Sequence, residues 1–127
     1  MKLEGERVLV TGGAGFIGSH IAAELVVRGC AVTVLDDLSS GDRHNLAAVA
    51  DRIRFVEGDI RDQTAVSAAV RGARFIFHQA AIAAVPQTFA DPVQAAMVNE
   101  IGTLMMLETA RQQGVQRIVL ASSCAVY

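Results

Sequence analysis

Short apolar runs alternate with longer stretches of helical periodicity along the whole chain. The runs at 7–11, 31–35, 53–56, 74–78 and 117–121 are nearly all apolar and rich in β-branched residues, the pattern of strands covered on both faces. After the first of them, Ile17, Ile21 and Leu25 recur at a spacing that places them on one helix face, and Gly29 stops the helix. Near the end, Asp91-Pro92 supplies the cap and first turn of a last helix, and Gly114 its stop. Weaker helical signals lie at 42–50 and 62–71, the second opened by Asp62 ahead of Ala65, Val66, Ala69 and Val70. Strands alternating with helices predict an α/β chain built on a doubly wound parallel sheet of about five strands. No internal repeat, low-complexity tract or linker interrupts it.

In an open parallel sheet, ligands bind outside the carboxyl ends of the strands, where the strand order reverses. Five polar or small-residue segments begin at those ends: Gly12 to Gly18, Asp36, Asp59, Gln79 to Ala83 and Ser122-Ser123. The first reads Thr-Gly-Gly-Ala-Gly-Phe-Ile-Gly over residues 11–18, directly after Val8-Leu9-Val10. Such a strand–turn–helix junction binds a dinucleotide pyrophosphate. Gly12 allows the tight turn, Gly15 lets the backbone approach the phosphates, and Gly18 lets the helix pack close on the strand; Phe16 and Ile17 open the helix whose N-terminus faces the anion. Asp36, 18 residues after Gly18, can accept both ribose hydroxyls of NAD and repels the extra phosphate of NADP. Arg43 keeps NADP open, although it also reads as a surface residue starting the next helix. Asp37 joins the cofactor-side candidates or caps its loop.

A chain of 127 residues with 52% hydrophobic and 19% charged residues is long enough and apolar enough for one globular domain with a real core. A net charge of −2 and scattered arginines argue against a nucleic-acid surface. Apolar stretches stay near six or seven residues, far from the ~20 that span a bilayer, so a cytoplasmic chain with no membrane partner is expected. Cys30 and Cys124 have no CxxC or Cys/His spacing and read as reduced thiols, with no metal site.

The motif at Thr11 to Gly18, followed by Leu35-Asp36-Asp37-Leu38-Ser39-Ser40-Gly41, Gly58-Asp59-Ile60, His78-Gln79-Ala80-Ala81 and Ser122-Ser123-Cys124-Ala125-Val126-Tyr127, resembles the extended short-chain dehydrogenase/reductases. Within them it is most similar to nucleotide-sugar epimerases of the UDP-glucose 4-epimerase type. The resemblance covers the whole chain but only the N-terminal part of a family member. It implies a Rossmann-type NAD-binding domain over residues 1–127, ending after strand five without the substrate domain. It implies an NAD-dependent isomerase, with a UDP-sugar as substrate of the intact enzyme and a homodimer in whose interface the helix bearing Met97, Ile101, Leu104, Met105 and Leu107 takes part. The apolar edge Ile118-Val119-Leu120 offers edge-to-edge strand pairing as the alternative.

By the same resemblance, Asp59 meets the adenine amino group and Ile60 packs on the ring, while Asp59 also reads as a turn former. Ala80, Ala81 and Ile82 form a wall beside the nicotinamide end, and Gln79 joins them on the cofactor side. Asn99, in Asn-x-x-Gly-Thr, helps hold the cofactor and the strand-five loop. Ser123 corresponds to the hydroxyl that polarises the sugar oxygen, or caps the end of strand five. The dehydratases of the family carry carboxylates at the positions of Cys124 and Ala125, which favours an epimerase here. His78, at the end of an apolar strand, reads as a core histidine, and His20 and His44 as structural.

Family catalysis uses a Tyr-x-x-x-Lys pair, in which the lysine lowers the tyrosine pKa. Tyr127 is the sole tyrosine and Lys2 the sole lysine. These 127 residues therefore read as a cofactor-binding part that is inactive by itself. Two other readings stay open: a non-catalytic NAD-binding or interaction module, and another nucleotide-sugar oxidoreductase of the same family.

Overall fold

Strand β1 (Arg7–Thr11) lies at the centre of a five-stranded sheet in a computed structural model that describes residues 2–123 and 126–127. The expectations placed on Cys124 and Ala125 lie outside the described residues. From β1 the chain passes through helix α1 (Phe16–Val27) to β2 (Ala31–Asp36), then through a run of 3₁₀ turns (Arg43–Arg52) to β3 (Ile53–Glu57). Helix α2 (Gln63–Val70) then crosses to β4 (Phe75–His78) on the other side of β1. Two short helices, α3 (Val85–Ala90) and α4 (Pro92–Ala96), a π turn (Met97–Gly102) and helix α5 (Thr103–Gln112) lead to β5 (Arg117–Leu120). All strands pair in parallel in the order β3-β2-β1-β4-β5. This is the Rossmann-type sheet that the strand pattern predicts.

The progression reverses between β1 and β4. Because crossovers are right-handed, the two directions put their helices on opposite faces. On one face Val8, Val10, Val32 and Val34 pack with Ala22 and Leu25 of α1 and with Leu46 and Val49. On the other, Leu9, Leu35 and Ile76 pack with Val66, Ala69 and Val70 of α2 and Met106 and Ala110 of α5. Alternate residues of one strand thus serve alternate cores. Register levels the carboxyl ends, since Thr11 pairs with both Leu35 and His78, and Asp36 pairs with Glu57.

Several expectations change. Residues 42–50 form 3₁₀ turns rather than an α-helix. Leu46 and Val49, three apart and both buried, eclipse each other at that period and suffice to seat the segment. In α1 the inward stripe is Gly18, Ser19, Ala22 and Leu25, while Ile17 is 63% exposed. Small side chains bring this helix against the sheet and leave the bulky Ile17 outside. The long last helix is interrupted by the π turn, whose extra backbone shifts the phase so that Met106, Thr109 and Ala110 face the core. Leu104 is left 60% exposed. Helix α3 has no counterpart in the predicted elements. Strands β3 and β5, at the two edges, are only partly covered.

The phase of α5 is open to test. Met106→Ala, at a fully buried side chain, is expected to lower the stability of the monomer in urea unfolding by about 2–4 kcal/mol, whereas Leu104→Ala changes that of the monomer by less than about 0.5 kcal/mol. A larger loss at Leu104 would contradict this placement.

Candidate functional site

The glycine turn is built by what its residues lack. Gly12 has φ +66°, and a Cβ there would stand 2.8 Å from the backbone nitrogen of Ala80 and 2.9 Å from the carbonyl carbon of Gln79. A side chain at Gly18 would run into the carbonyl of Gly12. Both obstacles are backbone and cannot rotate away. Gly15 differs, since a Cβ there meets only the Gly12 carbonyl oxygen at 3.3 Å and its other side opens onto the groove. Helix α1 starts at Phe16 with no side-chain cap, so its first-turn amides are available to an anion. The side chains of Phe16 and Ile17 point away into a separate apolar pocket with Leu3, Ile21 and Phe77. Only their backbone can serve an anion.

Asp36 closes β2 at the next strand end and is 8% exposed. Its Oδ2 accepts the amide of Ala14 at 2.9 Å and its Oδ1 that of Leu38 at 2.8 Å. The carboxylate therefore ties the glycine turn to the loop after β2 and keeps lone pairs for a ligand. The Ala14 carbonyl in turn accepts from the backbone of Asp42 and the side chain of Asn45. Gly41 passes so close that a Cβ would stand 2.9 Å from the Ala14 carbonyl. Asp37 accepts from the amide and hydroxyl of Ser39, the loop cap that its position suggests. Arg43 opens the 3₁₀ segment and lies over the Phe55 ring at 4.2 Å.

Asp59, after β3, is held by Arg61. The Arg61 amide donates to Oδ1 at 2.8 Å, and the guanidinium reaches both carboxylate oxygens. Its remaining arm donates to Oε1 of Gln94 at 2.7 Å. These hydrogen bonds hold the Asp59 carboxyl below its ordinary value. Ile60 is buried in the core against Gly102 and still borders the groove.

After β4, Gln79, Ala80 and Ala81 line the groove, and Asn99 clamps both polar groups of Ile82, accepting its amide at 2.8 Å and donating to its carbonyl at 3.0 Å. Asn99 thus braces the loop after β4, and both its amide groups are used there. Ser123 is exposed and is absent from the groove lining. His20 bonds the Phe16 carbonyl oxygen and His44 is capped through its amide by Asp42. Cys30 donates to the Leu3 carbonyl, and burial pushes its thiol up.

The resulting cleft, about 260 Å³, is just below the roughly 300–1,000 Å³ of enclosed ligand sites. Gly12, Gly15, Asp36, Asp37, Asp59, Ile60, Gln79, Ala80 and Ala81 come together there. Ser39, Ser40, Arg61, Gln87 and Gln94 also line it and were not foreseen. Arg61 carried a legible signal, a cation two residues after a strand-end aspartate, whereas Gln87 and Gln94 reach the groove through helices whose placement no local pattern encodes.

Because the Asp59 pKa is depressed in the fold, its interaction with Arg61 is fully present above the unfolded carboxylate value near ~3.9 and fades as pH falls through the folded value. Arg61→Ala is expected to return the Asp59 carboxyl toward the ordinary range in an NMR titration. An unchanged titration would contradict the pairing.

Residues 8–127 match the family model described as NAD dependent epimerase/dehydratase family. The UDP-glucose 4-epimerase of Mycolicibacterium smegmatis is 44% identical over 121 residues, covering 92% of this chain and 38% of its own length. A crystal structure of Thermus thermophilus UDP-glucose 4-epimerase in complex with NAD superposes with a TM-score of 0.84 at 47% identity, over 91% of this chain and 37% of that one. The dTDP-glucose 4,6-dehydratase DesIV of Streptomyces venezuelae, with NAD bound, gives 0.83 at 41% identity, over 88% and 38%. The chain therefore spans under two fifths of each of these proteins. With a glycine turn, a strand-end aspartate and a family match over nearly its full length, the chain belongs to the NAD-dependent epimerase/dehydratase family.

Proposed function

We propose that this chain is the NAD-binding part of a nucleotide-sugar 4-epimerase that oxidises C4 of a UDP-sugar to a ketone and reduces it again. One observation carries the cofactor reading: the nearly buried Asp36 carboxylate is fixed beside a glycine turn where a Cβ at Gly12 or Gly18 has no room. The family match supports the reaction class. Residues 1–127 act as one nucleotide-binding domain in this reading.

The residues present fit the cofactor. Gly12, Gly15 and Gly18 clear the space for a pyrophosphate, and the Phe16 and Ile17 amides at the start of α1 supply donors and a favourable dipole. Asp36 accepts the adenosine ribose hydroxyls, and its charge opposes the extra phosphate of NADP. Asp59 and Ile60 border the adenine end, with Arg61 fixing the carboxylate. Gln79, Ala80 and Ala81 form the opposite wall, and Asn99 holds that wall through Ile82. NAD, when bound, supplies a hydride acceptor and donor. Ser123 polarises the sugar oxygen that becomes a carbonyl.

Epimerase is favoured over dehydratase because Cys124 and Ala125 offer no carboxylate for water elimination. Residues 1–127 hold one tyrosine, Tyr127, and one lysine, Lys2, and no Tyr-x-x-x-Lys pair lies within them. A second copy docks on the exposed side of the last helix, where Met97, Ile101 and Leu104 are uncovered.

Calorimetric titration of the chain is expected to show NAD binding in preference to NADP. Asp36→Asn removes the charge and leaves a single acceptor oxygen for the amides of Ala14 and Leu38, and is expected to weaken NAD about tenfold or more, as for a lost charged hydrogen bond, and to narrow the gap to NADP. Equal or tighter NADP binding by the unaltered chain would refute the assignment of Asp36. In a coupled assay with UDP-galactose and added NAD, this chain is expected to show no turnover; turnover abolished by Tyr127→Phe would make Tyr127 the base. Sedimentation is expected to show a dimer that Leu104→Lys dissociates, and a monomer at high concentration would contradict it.

A further inference from the structure

His78 ends β4 with 5% of its surface exposed, and both ring nitrogens are engaged. Nδ1 is 2.7 Å from the hydroxyl of Thr11, the last residue of β1, and Nε2 is 3.0 Å from the hydroxyl of Thr103, the first residue of α5. The Thr11 hydroxyl is also an acceptor for two successive amides, that of Gln79 at 3.1 Å, which it shares with the Thr11 carbonyl at 3.1 Å, and that of Ala80 at 3.2 Å. A hydroxyl has two lone pairs and one hydrogen. With both lone pairs taken by amides, its hydrogen goes to Nδ1, so Nδ1 is bare and Nε2 carries the proton that it donates to Thr103.

The peptide held in this way is the one against which Gly12 packs, at a distance where a Cβ would stand 2.8 Å from the Ala80 nitrogen. We infer that His78, as the neutral Nε2–H tautomer between Thr11 and Thr103, is a positioning residue that sets the Gln79–Ala80 wall against the glycine turn and releases it on protonation. The inference rests on the reading of this groove as an NAD site. An imidazolium donates from both nitrogens, so it cannot accept from Thr11. The Thr11 hydroxyl must then turn, and one of its two amide bonds is lost.

The surroundings offer a charged His78 no compensation. On β1 and β5, Arg7 and Arg117 lie at the opposite ends of their strands. Asp36 on β2 is bonded to Ala14 and Leu38. Glu100 on the π turn is exposed, and Glu108 on α5 is paired with Arg111. Burial alone lowers the His78 pKa. With a folded pKa below that of the unfolded chain, the contribution of His78 is complete above the unfolded value near ~6.5 and is lost progressively as pH falls below it.

The ¹⁵N imidazole spectrum of the whole chain at pH 7.5 tests the tautomer without any substitution. His78 is expected to show a protonated Nε2 and an unprotonated Nδ1; a protonated Nδ1 would overturn the inference. Calorimetry with NAD at pH 7.5 and 5.5 tests the consequence. Affinity of the unaltered chain is expected to fall on acidification in step with imidazolium formation at His78 in the same ¹⁵N spectrum, and by less than about tenfold at pH 5.5, because burial holds the His78 pKa below the ordinary value near ~6.5. His78→Asn keeps an uncharged acceptor for Thr11 and is expected to bind NAD within about threefold at pH 7.5 and to lose the pH dependence, while His20→Gln retains it. A flat profile for the unaltered chain, or the same slope in His78→Asn, would overturn the inference. Failure of the chain to bind NAD at either pH would instead refute the NAD reading, with the tautomer still deciding the relay.

Discussion

Two contacts between backbones, with no side chain on the glycine side, set the rest of this structure. Gly12 lies against the Gln79–Ala80 peptide and Gly18 lies over the Gly12 carbonyl, so the turn after β1 is pressed between the start of α1 and the loop after β4. Neither contact tolerates a methyl group without moving main chain. The close approach aims the uncapped first turn of α1 at the crevice between β1 and β4, where the strand order reverses. A helix start without a side-chain cap thus coincides with the crevice that the topology opens between β1 and β4.

Polar side chains then lock this arrangement from both directions. Asp36 holds the Ala14 amide from the β2 side, while Thr11 and His78 hold the Gln79 and Ala80 amides from the β4 side. Asn99 extends the bracing to Ile82. No buried side-chain polar atom among the described residues lacks a partner, as a preorganised polar site requires. The bonds that fix the Asp36 carboxylate leave it acceptor capacity at the groove. Asp59 is fixed in a different way, by a guanidinium that neutralises it, so the two aspartates at the groove present unlike electrostatic faces.

Much of this was legible in the sequence because it depends on short-range chemistry. The five strands announce themselves by apolar runs, and the Gly12, Gly15 and Gly18 spacing with Asp36 at the next strand end needs only a parallel α/β reading to become a site. Side-chain facing was harder. Ile17 looked like a core residue from its spacing, yet α1 packs through Gly18, Ser19 and Ala22, because close approach to the sheet favours small residues over apolar bulk. The π turn at Met97–Gly102 shifts the phase of the last helix in a way that no periodicity records, and turns Met106, Thr109 and Ala110 to the core. Arg61, Gln87 and Gln94 reach the groove through tertiary placement. The Thr11–His78–Thr103 chain joins residues 67 and 25 positions apart, a link that only the sheet order creates.

The most direct test of a dinucleotide site in this crevice is residue-resolved amide NMR of the chain titrated with NAD. The largest shifts are expected at the amides of Gly12 to Gly18, at Leu38 beside Asp36, and at Gln79 to Ile82, three segments that are distant in sequence and adjacent only at the strand ends. Shifts confined to the apolar pocket of Leu3, Ile21 and Phe77, or no shifts at saturating NAD, would contradict the account.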